Sequence, residues 1–177
     1  MSTPFVPARP FFVVNPHSAN GATRARFLEL LPALRDAFPA MEHAFTDGPM
    51  HAARLAADAA GRGADLVASC GGDGTLNEVA SGLVESGKAA ATAVAVMPSG
   101  TGCDFRKVIG MGPGFAGAVE YLRTGVLRTV DHGVLDFVDG EGRPARRAFG
   151  PIACPRFRPG RPPSRRIRRT CSCNSLQ

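Results

Sequence analysis

The chain has 177 residues, 44% of them apolar and 20% charged, which suits one soluble-type domain with a proper core and excludes fibrous and wholly disordered classes. No apolar run approaches the roughly eighteen residues of a membrane span, and the N-terminal stretch carries no cleavage-type signal pattern, so a cytoplasmic protein is expected. The formal charge of +6 is unevenly placed: residues 1–150 hold 14 Lys+Arg against 15 Asp+Glu, whereas residues 151–177 hold seven Arg and no acid.

The stretch PFFVVNP (10–16) reads as a buried strand ended by an Asn-Pro turn. The following segment, 23–38, places Phe27, Leu30, Leu31, Leu34 and Phe38 on one helical face, with Pro32 expected to kink it or split it. MEHAFT (41–46) is a short second strand, and the Ala-rich run after Asp47-Gly48-Pro49 is a helix closing at Gly61 and Gly63. DLVASC (65–70) is a third strand. Leu76, Val79, Ala80, Leu83 and Val84 are spaced as an amphipathic helix. TAVAVMP (92–98) is a fourth strand, and Phe115, Ala118, Val119 and Leu122 face inward on a further helix. Strand-like pieces then flank an Asp139-Gly140 turn. The alternation predicts an α/β fold, a doubly wound parallel sheet with helices on both faces. The extended pieces after residue 126 break it and read as entry into an antiparallel element.

Ligands of an open parallel sheet bind beyond the carboxyl ends of its strands. The loops there are NPHSANGATR, TDGP, GGDGTLNE and PSGTGCDF, three of them small, polar and glycine-bearing. Such a loop lets phosphate oxygens approach backbone N–H groups, and a following helix adds open N–H groups and the positive end of its dipole. GGDGT opening a helix supplies both, with Thr75 as a cap or a phosphate partner. A carboxylate at Asp73 would repel phosphate unless it holds a hydrated magnesium ion, orients a hydroxyl or bonds a ribose. The spacing matches neither the Walker A loop nor the G-x-G-x-x-G dinucleotide fingerprint.

FFVVNPHSANG, SCGGDGTLNEVASGL and MPSGTGCDFRKVIG, in this order, resemble the catalytic domain of the diacylglycerol kinase and sphingosine kinase family of lipid kinases, over roughly residues 9–150. The central loop alone is shared with NAD kinases and phosphofructokinases; the flanking loops make the likeness specific. The resemblance implies a phosphofructokinase/NAD kinase-like nucleotide-binding domain over 9–130, then the start of a β-sandwich at 131–150. It implies ATP and Mg²⁺ as cofactors and a lipid hydroxyl, of diacylglycerol type at a membrane surface, as acceptor. It assigns ATP contacts to Asn15, Pro16, His17, Ser18, Ala19 and Thr46. A second set is Gly71, Gly72, Asp73, Gly74, Thr75, Leu76 and Asn77, and a third is Ser99, Gly100, Thr101 and Gly102. Asp73 is the expected catalytic carboxylate, Glu78 and Asp104 stand on the acceptor or metal side, and no residue is assigned as a dedicated metal ligand. Two departures stand out: Ser18-Ala19 replaces the family's Ser-Gly, and Cys103 replaces an asparagine. Two rival functions are an NAD kinase-like activity and a non-catalytic nucleotide- or membrane-binding remnant.

Residues 151–177 have no hydrophobic period and are expected to be a disordered basic tail. Three readings apply: a polybasic segment for anionic lipid or nucleic acid, a zinc site from Cys154, Cys171 and Cys173, or a shifted reading frame in GC-rich DNA. The Arg/Pro/Ser/Cys-rich composition favours the last, with no specific nucleic-acid partner and with phosphoryl transfer impaired in this form. His43, His51 and His132 read as structural, Cys70 as a small core residue, and His17 as either a phosphate contact or a solvated loop residue. Arg106 and Lys107 are candidates to line the cleft, whereas Lys88 reads as solvated surface.

Overall fold

A computed structural model describes residues 4–99, 115, 117–149 and 166–176. Four strands, β1 (Pro10–Val14), β2 (Glu42–Phe45), β3 (Leu66–Gly71) and β4 (Ala93–Pro98), pair in parallel in the order β2-β1-β3-β4. Helices α1 (Ala22–Ala37), α2 (His51–Gly61) and α3 (Asp73–Glu85) connect them in turn, and α4 (Ala118–Thr124) follows β4.

The period-2 side-chain alternation of the strands feeds two cores. Phe11, Val13, Val67, Val94 and Val96 face α2 and α3, where Ala52, Ala56, Leu76, Val79 and Leu83 meet them. Phe12, Val14, Leu66, Ala68, Cys70, Ala95 and Met97 face the other way, onto Phe27 and Leu34 of α1 and Leu122 of α4. The doubly wound α/β layout is therefore present. Gly82 is the closest point between α2 and α3: a Cβ built there would land on the Ala53 carbonyl oxygen and lie 2.7 Å from its carbon. Only a glycine lets the two backbones approach this far.

Pro32 does not split α1, which is a single 16-residue helix. A proline removes the hydrogen bond to the carbonyl four residues back. Here that carbonyl belongs to Leu28, an exposed residue, so water can take the place of the missing donor. After α4 the chain forms β5 (Leu127–Val138) and β6 (Pro144–Phe149), an antiparallel hairpin. Its turn is held by Asp139 Oδ1, which accepts the N–H groups of Glu141 and Arg143, each at 2.9 Å. Arg166–Leu176, within the segment expected to be a disordered tail, forms strand β7. It is antiparallel to β5 and parallel to β4, so the hairpin continues the same seven-stranded sheet.

Candidate functional site

The strand order fixes where a site can form. From β1 the chain turns one way to β2, and from β3 it turns the other way to β4. The crevice between the carboxyl ends of β1 and β3 is therefore the switch point of the sheet, where α/β proteins hold ligands. A cleft of about 430 Å³ opens there, lined by Asn15, His17, Ser18, Thr46, Gly48, Pro49, Ala52, Gly72, Gly74, Thr75 and Glu78. That volume falls inside the roughly 300–1,000 Å³ of small-molecule sites.

The loop after β1 is held by its own polar groups. Asn15 donates its N–H to the Cys70 carbonyl at 3.0 Å, fastening the end of β1 to the end of β3. Its side-chain oxygen accepts the His17 N–H at 3.0 Å, and its Nδ2 donates to Thr75 Oγ1 at 3.1 Å. Asn15 is thus a strut between the first loop and the start of α3. The loop then passes through three consecutive left-handed residues, Ala19 (φ 52°), Asn20 (φ 54°) and Gly21 (φ 85°), before α1 begins. Ala19 therefore adopts a conformation that a glycine accepts more easily than an alanine.

The second wall is the N-terminus of α3. Gly72 is extended and leads into the helix, and its carbonyl accepts the Leu76 N–H at 3.1 Å. The amides of Gly74 and Thr75, which precede that bond, have no intrahelical acceptor and stand at the positive end of the helix dipole. Gly71 has no room for a side chain: an added Cβ would run into Thr75 Oγ1 and lie 2.8 Å from Thr75 Cβ. The Thr75 hydroxyl, accepting from Asn15, keeps its own proton to donate. These features suit a ligand with phosphate oxygens.

Thr46 is buried at the end of β2, its N–H donated to the Val14 carbonyl at 2.8 Å, and it forms a third side of the cleft. Ser99, at the end of β4, is buried and reaches the first loop through a 3.0 Å contact between its Oγ and Ser18 Oγ. Of the carboxylates, Glu78 lines the cleft. Asp73 is half-buried in the first turn of α3, a position its charge suits, and is not among the described lining residues. The Leu76 side chain is buried in the core, and the half-buried Asn77 likewise does not line the cleft. Pro16 and Ala19 shape the first loop without lining it. Gly100, Thr101, Gly102 and Asp104 lie outside the described residues, as do Cys103, Arg106 and Lys107.

Gly48, Pro49 and Ala52 line the cleft although only Thr46 was singled out from that loop. The Asp-Gly-Pro turn after β2 was the available signal. Cys70 is fully buried beneath the site, and burial pushes its thiol far above the usual range, so it is an inert core residue. Among the described residues, no group of three or more His, Cys, Asp or Glu side chains gathers as a metal cage, and no helix is long and apolar enough to cross a membrane.

Fold and site together define a doubly wound α/β domain with a glycine-bearing cleft at its switch point. Known proteins carry the assignment further. The diacylglycerol kinase catalytic domain matches residues 9–135. A "Probable lipid kinase YegS-like" protein of Enterobacter sp. (strain 638) is 35% identical over 80 residues, which is 45% of this chain and 27% of the relative. A protein of the same description from Cronobacter sakazakii (strain ATCC BAA-894) is 36% identical over 95 residues, 54% of this chain and 31% of the relative. The solved structure of a diacylglycerol kinase from Bacillus anthracis str. Sterne superposes with a TM-score of 0.60 at 24% identity, covering 76% of this chain and 49% of that one; this is a likeness of fold. The chain belongs to the diacylglycerol kinase catalytic domain family. It spans less than a third of these two curated relatives and about half of the solved chain.

Proposed function

We propose that the cleft binds ATP through its phosphates, and that the enzyme built on this domain transfers the γ-phosphoryl group to the hydroxyl of a diacylglycerol-type lipid at a membrane surface. One observation carries this reading: in a chain of this family, the loops after β1, β2 and β3 converge on one 430 Å³ cleft whose α3 wall offers amides, a dipole end and the Thr75 hydroxyl. The names of the relatives, lipid kinases and a diacylglycerol kinase, point to the same acceptor class.

Phosphoryl transfer rests on positioning and on neutralising charge, with little covalent chemistry asked of the protein. Gly72 and Gly74 let the phosphates come close to the backbone. The amides of Gly74 and Thr75 and the Thr75 hydroxyl donate to them, and Asn15 keeps that hydroxyl in place. Mg²⁺ is ordinarily held by phosphate oxygens with one or two carboxylates rather than by an all-protein cage, and Glu78 on the cleft, with Asp73 in the first turn of the same helix, fits that pattern. When bound, the ion would neutralise the phosphate charge. Within this reading Asp73 orients the acceptor hydroxyl or the metal, and Glu78 stands on the acceptor or metal side.

The test is incubation of the purified chain with radiolabelled ATP, Mg²⁺ and either diacylglycerol micelles or NAD. Label in lipid, even at low yield, supports the assignment. Label in NAD overturns it in favour of the NAD kinase reading. Nucleotide binding without label in either acceptor makes this chain a non-catalytic nucleotide-binding unit.

A further inference from the structure

Ser99 is the point at which the chain leaves β4, and three parts of the domain hold it. Its N–H points to the Gly71 carbonyl at 3.4 Å, its Oγ meets Ser18 Oγ at 3.0 Å, and its carbonyl accepts from Arg26 Nη1 at 2.6 Å. Ser18 is itself fixed. Its Oγ lies 2.6 Å from Thr23 Oγ1 and donates to the Asn15 carbonyl at 2.9 Å, while Thr23 donates to the Ser18 carbonyl at 2.9 Å. Thr23 and Arg26 stand one helical turn apart on α1, on the same face. The helix thus reaches the first loop through Thr23 and the fourth strand's exit through Arg26.

The bond from Arg26 differs from the others in kind. It is short and charge-assisted, and such bonds are about twice as strong as neutral ones. It also spans 73 positions of sequence, joining elements that belong to different βα units. The remaining ties at Ser99 are a long backbone bond and a neutral hydroxyl contact with Ser18.

We propose that Arg26 is a positioning residue of this cleft: by donating to the Ser99 carbonyl it fixes where the chain departs from β4, and so the spacing between Ser99 and the loop after β1. The inference rests on the reading of the cleft as a nucleotide site. Its structural half, the clamp on Ser99, holds independently of any ligand. Arg26 is exposed, so its replacement leaves the cores intact.

The experiment compares the full chain with Arg26→Met, which keeps the stem and removes the donors, and Arg26→Lys, which keeps a cationic donor. Two readouts are taken: exchange of the Ser99 backbone amide in the absence of nucleotide, and the Kd for Mg·ATP by calorimetry. Arg26→Met should speed exchange at Ser99 and weaken Mg·ATP binding, each by roughly tenfold. The Tm should stay near that of the parent, and Arg26→Lys should recover most of both effects. Unchanged exchange at Ser99 in Arg26→Met overturns the proposal. Faster exchange with unchanged Mg·ATP affinity also overturns it, since the clamp would then position nothing that the nucleotide uses. If the parent chain binds no Mg·ATP while Arg26→Met still loosens Ser99, the clamp is upheld and the nucleotide reading is what fails.

Discussion

Replacement of Gly82 by alanine probes the contact that holds α3, and with it one wall of the cleft, against α2. In an open helix position this change gains up to about 1 kcal/mol from helix propensity. Here the new methyl would fall on the Ala53 carbonyl oxygen, 2.7 Å from its carbon and 2.8 Å from its Cα. Carbon atoms prefer separations of roughly 3.5–4.0 Å, so the two helices must part by about an ångström. The obstacle is backbone and cannot rotate away. Overpacking of this kind costs about 1–3 kcal/mol; a clash this close with rigid backbone falls at the upper end, so after a propensity gain of about 1 kcal/mol the net loss is about 2 kcal/mol. In a domain of this size that lowers Tm by about 4–8 °C. Gly74 is the internal control, on the same helix with nothing within 4 Å of an added Cβ; Gly74→Ala should leave stability unchanged or raise it. Urea unfolding followed by circular dichroism measures both. A Gly82→Ala protein as stable as its parent would refute the close approach of α2 and α3.

Three further outcomes follow from local features. Ala19 sits at φ 52°, so Ala19→Gly should remove left-handed strain and stabilise the fold by up to about 1 kcal/mol, seen as a higher urea midpoint; a lower midpoint would count against the loop conformation. Ser69 Oγ is buried with no hydrogen-bond partner among the described residues, so Ser69→Ala should be neutral or stabilising by about 1 kcal/mol, whereas a clear loss would mean that the hydroxyl has a partner. Burial first, and the Arg35 charge second, hold His43 below its ordinary value near 6.5. The unfolded chain then binds more protons in the window from that value down to the folded one. Stability is therefore full above pH 6.5 and falls as the pH drops through that window. Tm measured between pH 8 and 5 should show this slope, and His43→Gln should flatten it; an unchanged slope in the variant would assign the effect elsewhere.

Much of the sheet was legible because its strands are short apolar runs ended by Asn15-Pro16, Thr46, Gly71 and Pro98, and because a doubly wound order puts those ends together. The loops that line the cleft could be named for the same reason. The roles within them were less visible. Asn15 reads as a ligand contact, but its side chain spans to Thr75, a pairing 60 positions away that no local pattern encodes. Leu76 belongs to a binding motif and also to a helical apolar stripe, and the stripe decides where its side chain goes. Arg26 looks like any solvated helix cation until Ser99 is placed beside it. Pro32 looked like a break because its effect depends on whether the deprived carbonyl meets water. β7 carries no apolar alternation, and its place comes from backbone pairing with β5 and β4, which sequence periodicity does not report.

In the proposed site, nucleotide phosphates sit between the first loop and the α3 N-terminus. Titration of the isotope-labelled chain with Mg·ATP, followed by amide chemical shifts, tests this directly. The largest shifts should fall on Gly72, Gly74, Thr75 and Ser18, with smaller ones at Thr46 and Ser99. Shifts gathered instead at the opposite end of the strands, around Arg9, Glu42 and Arg62, would contradict it.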